Sequence, residues 1–156
     1  MKFICSLITV DDITKARKLY EGILHQRVIS DFGENVAFEG GFALHQKDHF
    51  KQLIDNKEII TGANSFELYF EEDDLHTIEL ELKKEGFIFI HTIKEQPWRQ
   101  QVLRFYDCDM NIIEIGERLE HEAYRLHKEN KTIEEIMKLT YLSKKKIEIA
   151  ISEYSK

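Results

Sequence analysis

Glu114 sits in the middle of an apolar strand, within the stretch Phe105 to Glu117 (FYDCDMNIIEIGE). Alternation puts Ile113 and Ile115 on one face of that strand and Glu114 on the other, with Ile112. A carboxylate in such a place is expensive unless it is exposed, paired with a base or bound to a cation. Arg104 and Tyr106 share a face of the preceding strand, and Trp98 follows Pro97, the chain's only proline, in the loop before it. An indole, a guanidinium and a phenol can stack on a small ligand and give it a counter-charge. The blander readings are that Arg104 is the ion-pair partner of Glu114 or Glu67, and that Trp98 anchors a core or a dimer.

Little else in the chain has the spacing of a reactive centre. His25, His76, His91, His121 and His127 show no mutual metal-ligand spacing, and neither a nucleophile–base constellation nor a phosphate-binding glycine loop can be identified. The net charge of −7 over 156 residues argues against general nucleic-acid or anionic-membrane binding. Hydrophobic residues make up 42%, enough for a core. Cys5 and Cys108 are the only cysteines and give no disulfide framework, which together with the absence of a signal or membrane-spanning segment fits a reducing cytoplasm.

The elements that position Glu114 read in order. Phe3 to Val10 is a strand; Asp11 and Asp12 can each cap a helix whose stripe is Ile13, Ala16, Leu19, Tyr20, Ile23 and Leu24. Arg27 to Asp31, Asn35 to Phe38 and Phe42 to Gln46 are three more strands. The pattern then returns: strand Ser65 to Glu72, a helix from Asp73-Asp74 to Gly86, and strands Phe87 to His91, Gln101 to Tyr106 and Asn111 to Gly116. A shift of 62 residues superposes Asp11-Asp12-Ile13 on Asp73-Asp74-Leu75, so a βαβββ unit is duplicated. Lys47 to Asn64 joins the halves, partly as helix.

Two βαβββ units, each with an Asp-Asp helix start, and a last strand pair reading FYDCDMNIIEIGE resemble the vicinal oxygen chelate superfamily of glyoxalases, bleomycin-resistance proteins and extradiol dioxygenases. The resemblance covers about residues 1–118, leaving 119–156 as a helical tail. In the last turn Cys108 and Met110 stand where that superfamily usually has Pro and Gly. The resemblance implies an α+β fold in which two modules curl a mixed sheet around a cavity, and commonly a homodimer. It also implies a metal held from the first and last strands of each module, positions that fall here on Cys5, His45, Glu67 and Glu114. Such a set could hold one divalent ion (Zn, Ni, Mn or Fe). With at most one His it does not match the two-His-plus-carboxylate sites of extradiol dioxygenases or fosfomycin transferases, so those activities are disfavoured. Without a metal, a cavity holding Glu67 and Glu114 favours a cationic or hydrogen-bond-donating ligand.

The tail carries eight Lys or Arg and seven Asp or Glu. Thr132-Ile133-Glu134-Glu135 fits a capping box, Tyr141-Leu142-Ser143 is a turn, and Ser143 caps a last helix opened by Lys144, Lys145 and Lys146. This resembles a helix-turn-helix, but Glu148 and Glu153 oppose phosphate, and a helical hairpin packed on the body or across a dimer is preferred to a nucleic-acid partner. The expected function is recognition of a small molecule in the cavity, with Trp98, Arg104 and Tyr106 as contacts. The alternatives are a metal-dependent lyase or isomerase and a ligand-sensing DNA-binding regulator.

Overall fold

The computed structural model describes residues 1–156. The elements are β1 (Ser6–Val10), α1 (Ile13–Arg17) running into a π-helical turn (Lys18–Ile23), β2 (Val28–Asp31), β3 (Asn35–Phe38), β4 (Phe42–Gln46) and α2 (Lys47–Leu53). The second half gives β5 (Glu67–Glu71), α3 (Leu75–Lys84), β6 (Ile88–Glu95), β7 (Gln101–Tyr106) and β8 (Ile112–Gly116). Helices α4 (Leu119–Lys128), α5 (Ile133–Thr140) and α6 (Lys144–Tyr154) follow. The fold is α+β, and the βαβββ order occurs twice. Each repeat makes a four-stranded sheet of the same topology, β1-β4-β3-β2 and β5-β8-β7-β6. In the first sheet β1 runs parallel to β4, while β2–β3 and β3–β4 are antiparallel. β1 starts three residues later than its apolar run suggests. Its partner β4 begins at Phe42, opposite Ser6, so Phe3 and Ile4 have nothing to pair with and are exposed.

Both helix starts use the same device. Asp12 accepts from the Lys15 N–H at 3.0 Å, and Asp74 from the Thr77 N–H at 3.0 Å. In each Asp-Asp pair the second residue caps, and the first reaches elsewhere: Asp11 to Lys47, Asp73 to Arg118. The β7–β8 turn is built on Asp107. Its carboxylate accepts from the N–H groups of Asp109 (2.8 Å) and Asn111 (2.9 Å), from the Asn111 side chain (2.9 Å) and from the buried Tyr20 hydroxyl (2.8 Å). Met110 takes the left-handed conformation there (φ 64°), where a glycine would be unstrained. The four bonds to Asp107 hold the turn in place of the missing Pro and Gly.

The chain divides into two compact units that cut across the repeats. One comprises Met1–Glu67 with Glu81–Ile88 and Tyr106–Ile112; its core includes Val10, Leu19, Tyr20, Val36 and Leu44, with Phe38 stacked on Phe42 at 4.7 Å between centroids. The other comprises Leu68–Leu80, Phe89–Phe105 and Ile113–Lys156; Val102, Leu103, Phe105, Ile113 and Ile115 are buried in its sheet. The three C-terminal helices belong to this second unit and share a core of Ala123, Leu126, Ile136, Leu142 and Ile147. The capping box at Thr132 and Glu135 is present, and Ser143 caps α6. No helix is long and apolar enough to cross a membrane.

Candidate functional site

Glu114 is buried in β8, and both faces of that strand are covered, the one it shares with Ile112 included. It resolves its charge by pairing: its carboxylate lies against the Arg104 guanidinium on β7. Arg104 Nη1 in turn lies 3.3 Å from His91 Nε2 on β6. The sheet order β8-β7-β6 therefore lines up Glu114, Arg104 and His91 as a cross-strand ladder. Arg104 is held by its own sheet in this arrangement, the bland alternative raised by the sequence.

His45, on β4, is also buried, but it is satisfied without charge. The Asn35 side-chain amide lies 3.1 Å from its Nδ1, and its Nε2 lies 2.9 Å from His49 Nδ1. The network assigns the proton to Nε2, with the amide donating to Nδ1. Burial and the neighbouring His49 hold the His45 pKa below its ordinary value.

Of the four positions matched to metal ligands, Cys5 and His45 lie apart, and His45 and Glu114 have other partners. Cys5 precedes β1, beside Gly41, whereas His45 pairs with Thr9 at the other end of the strand. That is about four residues, or ~13 Å, away along the strand. Both ring nitrogens of His45 are engaged, Glu114 is paired with Arg104, and Glu67 is exposed at the start of β5. No three His, Cys, Asp or Glu side chains are gathered so as to hold a metal.

Of the three suggested ligand contacts, one lines a cavity. Tyr106 borders a cleft of about 600 Å³ inside the first compact unit. Its walls come from both sequence repeats: the outer face of α1 and the π-helical turn, the end of α3, and the β7–β8 turn. Trp98 and Arg104 are not among its lining residues; the Trp98 indole N–H donates to Gln100 at 3.1 Å. The resemblance implied a cavity walled by curled strands, whereas this cleft is walled largely by helices.

The π turn shapes the cleft. The Leu24 N–H donates to the Leu19 carbonyl five residues back, at 2.8 Å, so the helix widens over Lys18–Ile23. Single π turns inside α-helices occur frequently at functional sites. Leu19, Ile23, Phe87 and Ile88 give the cleft apolar wall, Lys15 and Lys18 bring positive charge from one helix, and Glu81 on α3 and Glu85 in the turn after it bring negative charge. Gly22 faces open space: a Cβ there meets nothing within 4 Å. In the sequence the one trace of this site is Gly22 inside an otherwise good helical stripe.

A second polar cluster also escaped sequence reasoning. Glu117, almost fully buried, accepts from Arg125 at 2.6 Å and lies 3.0 Å from His121, and these partners hold its carboxyl below the usual range despite burial. One turn along α4, Glu122 has no exposure and neither of its oxygens has a partner. Burial, with Glu117 nearby, pushes its pKa up to about 7. Glu122 stands among the partly exposed polar residues Glu120, His121 and Arg125 in the sequence, so nothing local marks it as buried.

Comparison with known proteins agrees with this architecture. The sequence matches the family described as "Glyoxalase-like domain" over residues 3–120. A solved protein of unknown function from Agrobacterium tumefaciens is 32% identical, with a TM-score of 0.68, over 76% of this chain and 94% of that one. A lactoylglutathione lyase from the same organism shares the fold at 18% identity and a TM-score of 0.56, over 74% of this chain and 92% of its own. A glyoxalase-related enzyme from Fulvimarina pelagi does so at 14% identity and a TM-score of 0.61, over 72% and 86%. No curated protein gives a significant match. With the family match covering most of the chain and the duplicated βαβββ topology present, the protein is a member of the glyoxalase-like domain family.

Proposed function

We propose that the protein binds a small organic molecule in the cleft beside the π-helical turn, and that this ligand has an apolar body and carries groups of both charges. The observation that carries the reading is the cleft itself: about 600 Å³, with apolar and polar wall in similar measure, lysines along one helix and glutamates at the end of α3 and just after it. Cavities of roughly 300–1,000 Å³ with a few placed polar groups are the usual form of small-molecule sites. Lys15 and Lys18 would take an anionic group, Glu81 and Glu85 an ammonium, and Tyr106 could offer its ring edge. The lyase or isomerase alternative needs a metal centre, and the donor arrangement gives no observation in its favour.

Nε-dansyl-lysine, an aromatic body with a free amino acid zwitterion, is a suitable probe for fluorescence titration. Wild type is expected to bind it, and Gly22→Leu, which fills the open space beside the π turn, to weaken binding at least tenfold. Lys15→Gln with Lys18→Gln should weaken it several-fold, while Gly22→Ala leaves it unchanged. Binding that Gly22→Leu does not alter, or no binding by wild type, would overturn the proposal.

A further inference from the structure

The outer face of α6 is the surface that neither the fold nor the cleft uses. The inner face of the tail is committed to docking within its own unit. Ile147 and Ala150 of α6 are buried against α4 and α5. Tyr154, at the end of α6, donates to Asp73 at 2.7 Å, and Arg118 Nε, just before α4, donates to the same carboxylate at 2.9 Å. The opposite stripe of α6, Lys145, Ile149 and Ser152 at i, i+4 and i+7, is exposed.

Three features give that stripe a partner. First, α5 and α6 are joined by three residues, Tyr141 to Ser143, and both pack on α4. This connectivity is that of a helix-turn-helix, whose second helix enters the DNA major groove. Second, within a chain of net charge −7, the charge is locally complementary to phosphate: from Lys131 to the C-terminus six lysines stand against four glutamates, and Lys144, Lys145 and Lys146 are all exposed at the start of α6. The two glutamates of α6 that argued against DNA flank the stripe rather than interrupt it. Glu148 and Glu153 border it on its two sides, each one helical turn (i, i+4) from a stripe residue, Ser152 and Ile149 respectively, and Glu148 is 3.9 Å from Lys144. Third, Tyr141 holds the left-handed turn position (φ 58°) and is 90% exposed. A glycine would occupy that position with less strain, and the exposed ring adds nothing to the core of the tail.

We infer that the α5–α6 pair binds duplex DNA, with Lys144, Lys145 and Lys146 on phosphates and with Tyr141 and the Lys145–Ile149–Ser152 stripe of α6 turned to the groove. The inference is independent of the ligand cleft.

The test is fluorescence anisotropy of the full-length protein with a labelled mixed-sequence 24-base-pair duplex, titrated with salt. Wild type is expected to bind micromolar or more weakly at 50 mM salt, with affinity falling as salt rises. Lys144→Gln/Lys145→Gln/Lys146→Gln should weaken binding at least tenfold and flatten the log–log salt slope by up to about 3. Tyr141→Gly separates binding from folding. It should raise the melting temperature and lower DNA affinity about threefold; a purely structural turn would show the first change without the second. Absence of wild-type binding at 50 mM salt, or a triple variant that binds as wild type does, would overturn the inference. So would variants that change the oligomeric state and leave DNA binding untouched, which would mark the stripe as a contact between copies of this chain.

Discussion

The two modules place a polar residue at the same topological position and satisfy it by opposite means. β4 and β8 each stand second in their sheets; β4 carries His45 and β8 carries Glu114. His45 is buried as a neutral ring between Asn35 and His49. Glu114 is buried as half of an ion pair with Arg104. The duplication repeated the backbone without repeating the electrostatics. A neutral imidazole needs only two hydrogen-bonding neighbours, whereas a buried carboxylate needs an opposite charge. Two of the four positions that the superfamily resemblance assigns to metal ligands, His45 and Glu114, thus carry side-chain partners from their own sheets or the adjoining helix.

That contrast can be broken experimentally, and the largest effect belongs to β8. Glu114→Ala leaves Arg104 without its carboxylate, and Arg104→Ala does the converse. Each is expected to lower unfolding free energy by about 3 kcal/mol in urea denaturation. The joint replacement Arg104→Met/Glu114→Leu should recover most of the loss. A loss below about 1 kcal/mol for the single changes would show a solvated pair of surface type, and the contrast with His45 would disappear.

Next comes Glu122, the charge that found neither solution. Its carboxyl is raised to about 7, so the folded state keeps a proton that the unfolded chain releases from about pH 4.5 upward. Stability is therefore lost as pH rises from about 4.5 to about 7, and the penalty is complete above that. Glu122→Met should stabilise the protein by up to about 3 kcal/mol at pH 8 and much less at pH 4. Thermal melts at both pH values give the comparison; equal gains would mean that packing, not ionisation, is what changed.

The smallest effect is a pair of opposed pH dependences. The His45 pKa is lowered in the folded state by burial and His49, so its contribution is full above the ordinary His value near 6.5 and falls as pH drops below it. The His121 pKa is raised chiefly by its hydrogen bond to Glu117, so its contribution is full below 6.5 and is lost as pH rises through the elevated value. His45→Gln should flatten the acid side of the stability profile, and His121→Gln the alkaline side. Each change should be on the order of a degree or two in melting temperature. Profiles that move in the same direction would show that one of the two environments is misassigned.

The sequence by itself determined what depends on neighbours a few residues apart. Strand alternation and the helical stripes placed the two βαβββ repeats, and cap residues placed the last two helices of the helical tail. Asp12, Asp74, Thr132 with Glu135, and Ser143 were legible as caps because a cap closes within three or four residues. Even the choice set for Glu114 was legible, since mid-strand placement demands exposure, a base or a cation. What tertiary structure decided were relations between distant residues. Arg104 took Glu114 because β7 lies beside β8. Cys5 and His45 were kept apart because β1 pairs with β4 in a register that sets Thr9, not Cys5, against His45. The cleft formed where a widened helix meets segments some 60 to 90 residues further along the chain. Glu122 became buried because α4 packs both on its own bundle and beside Glu117. Local periodicity is written in each segment, but which charges meet, and which meet nothing, is settled only when sheets and helices close on one another.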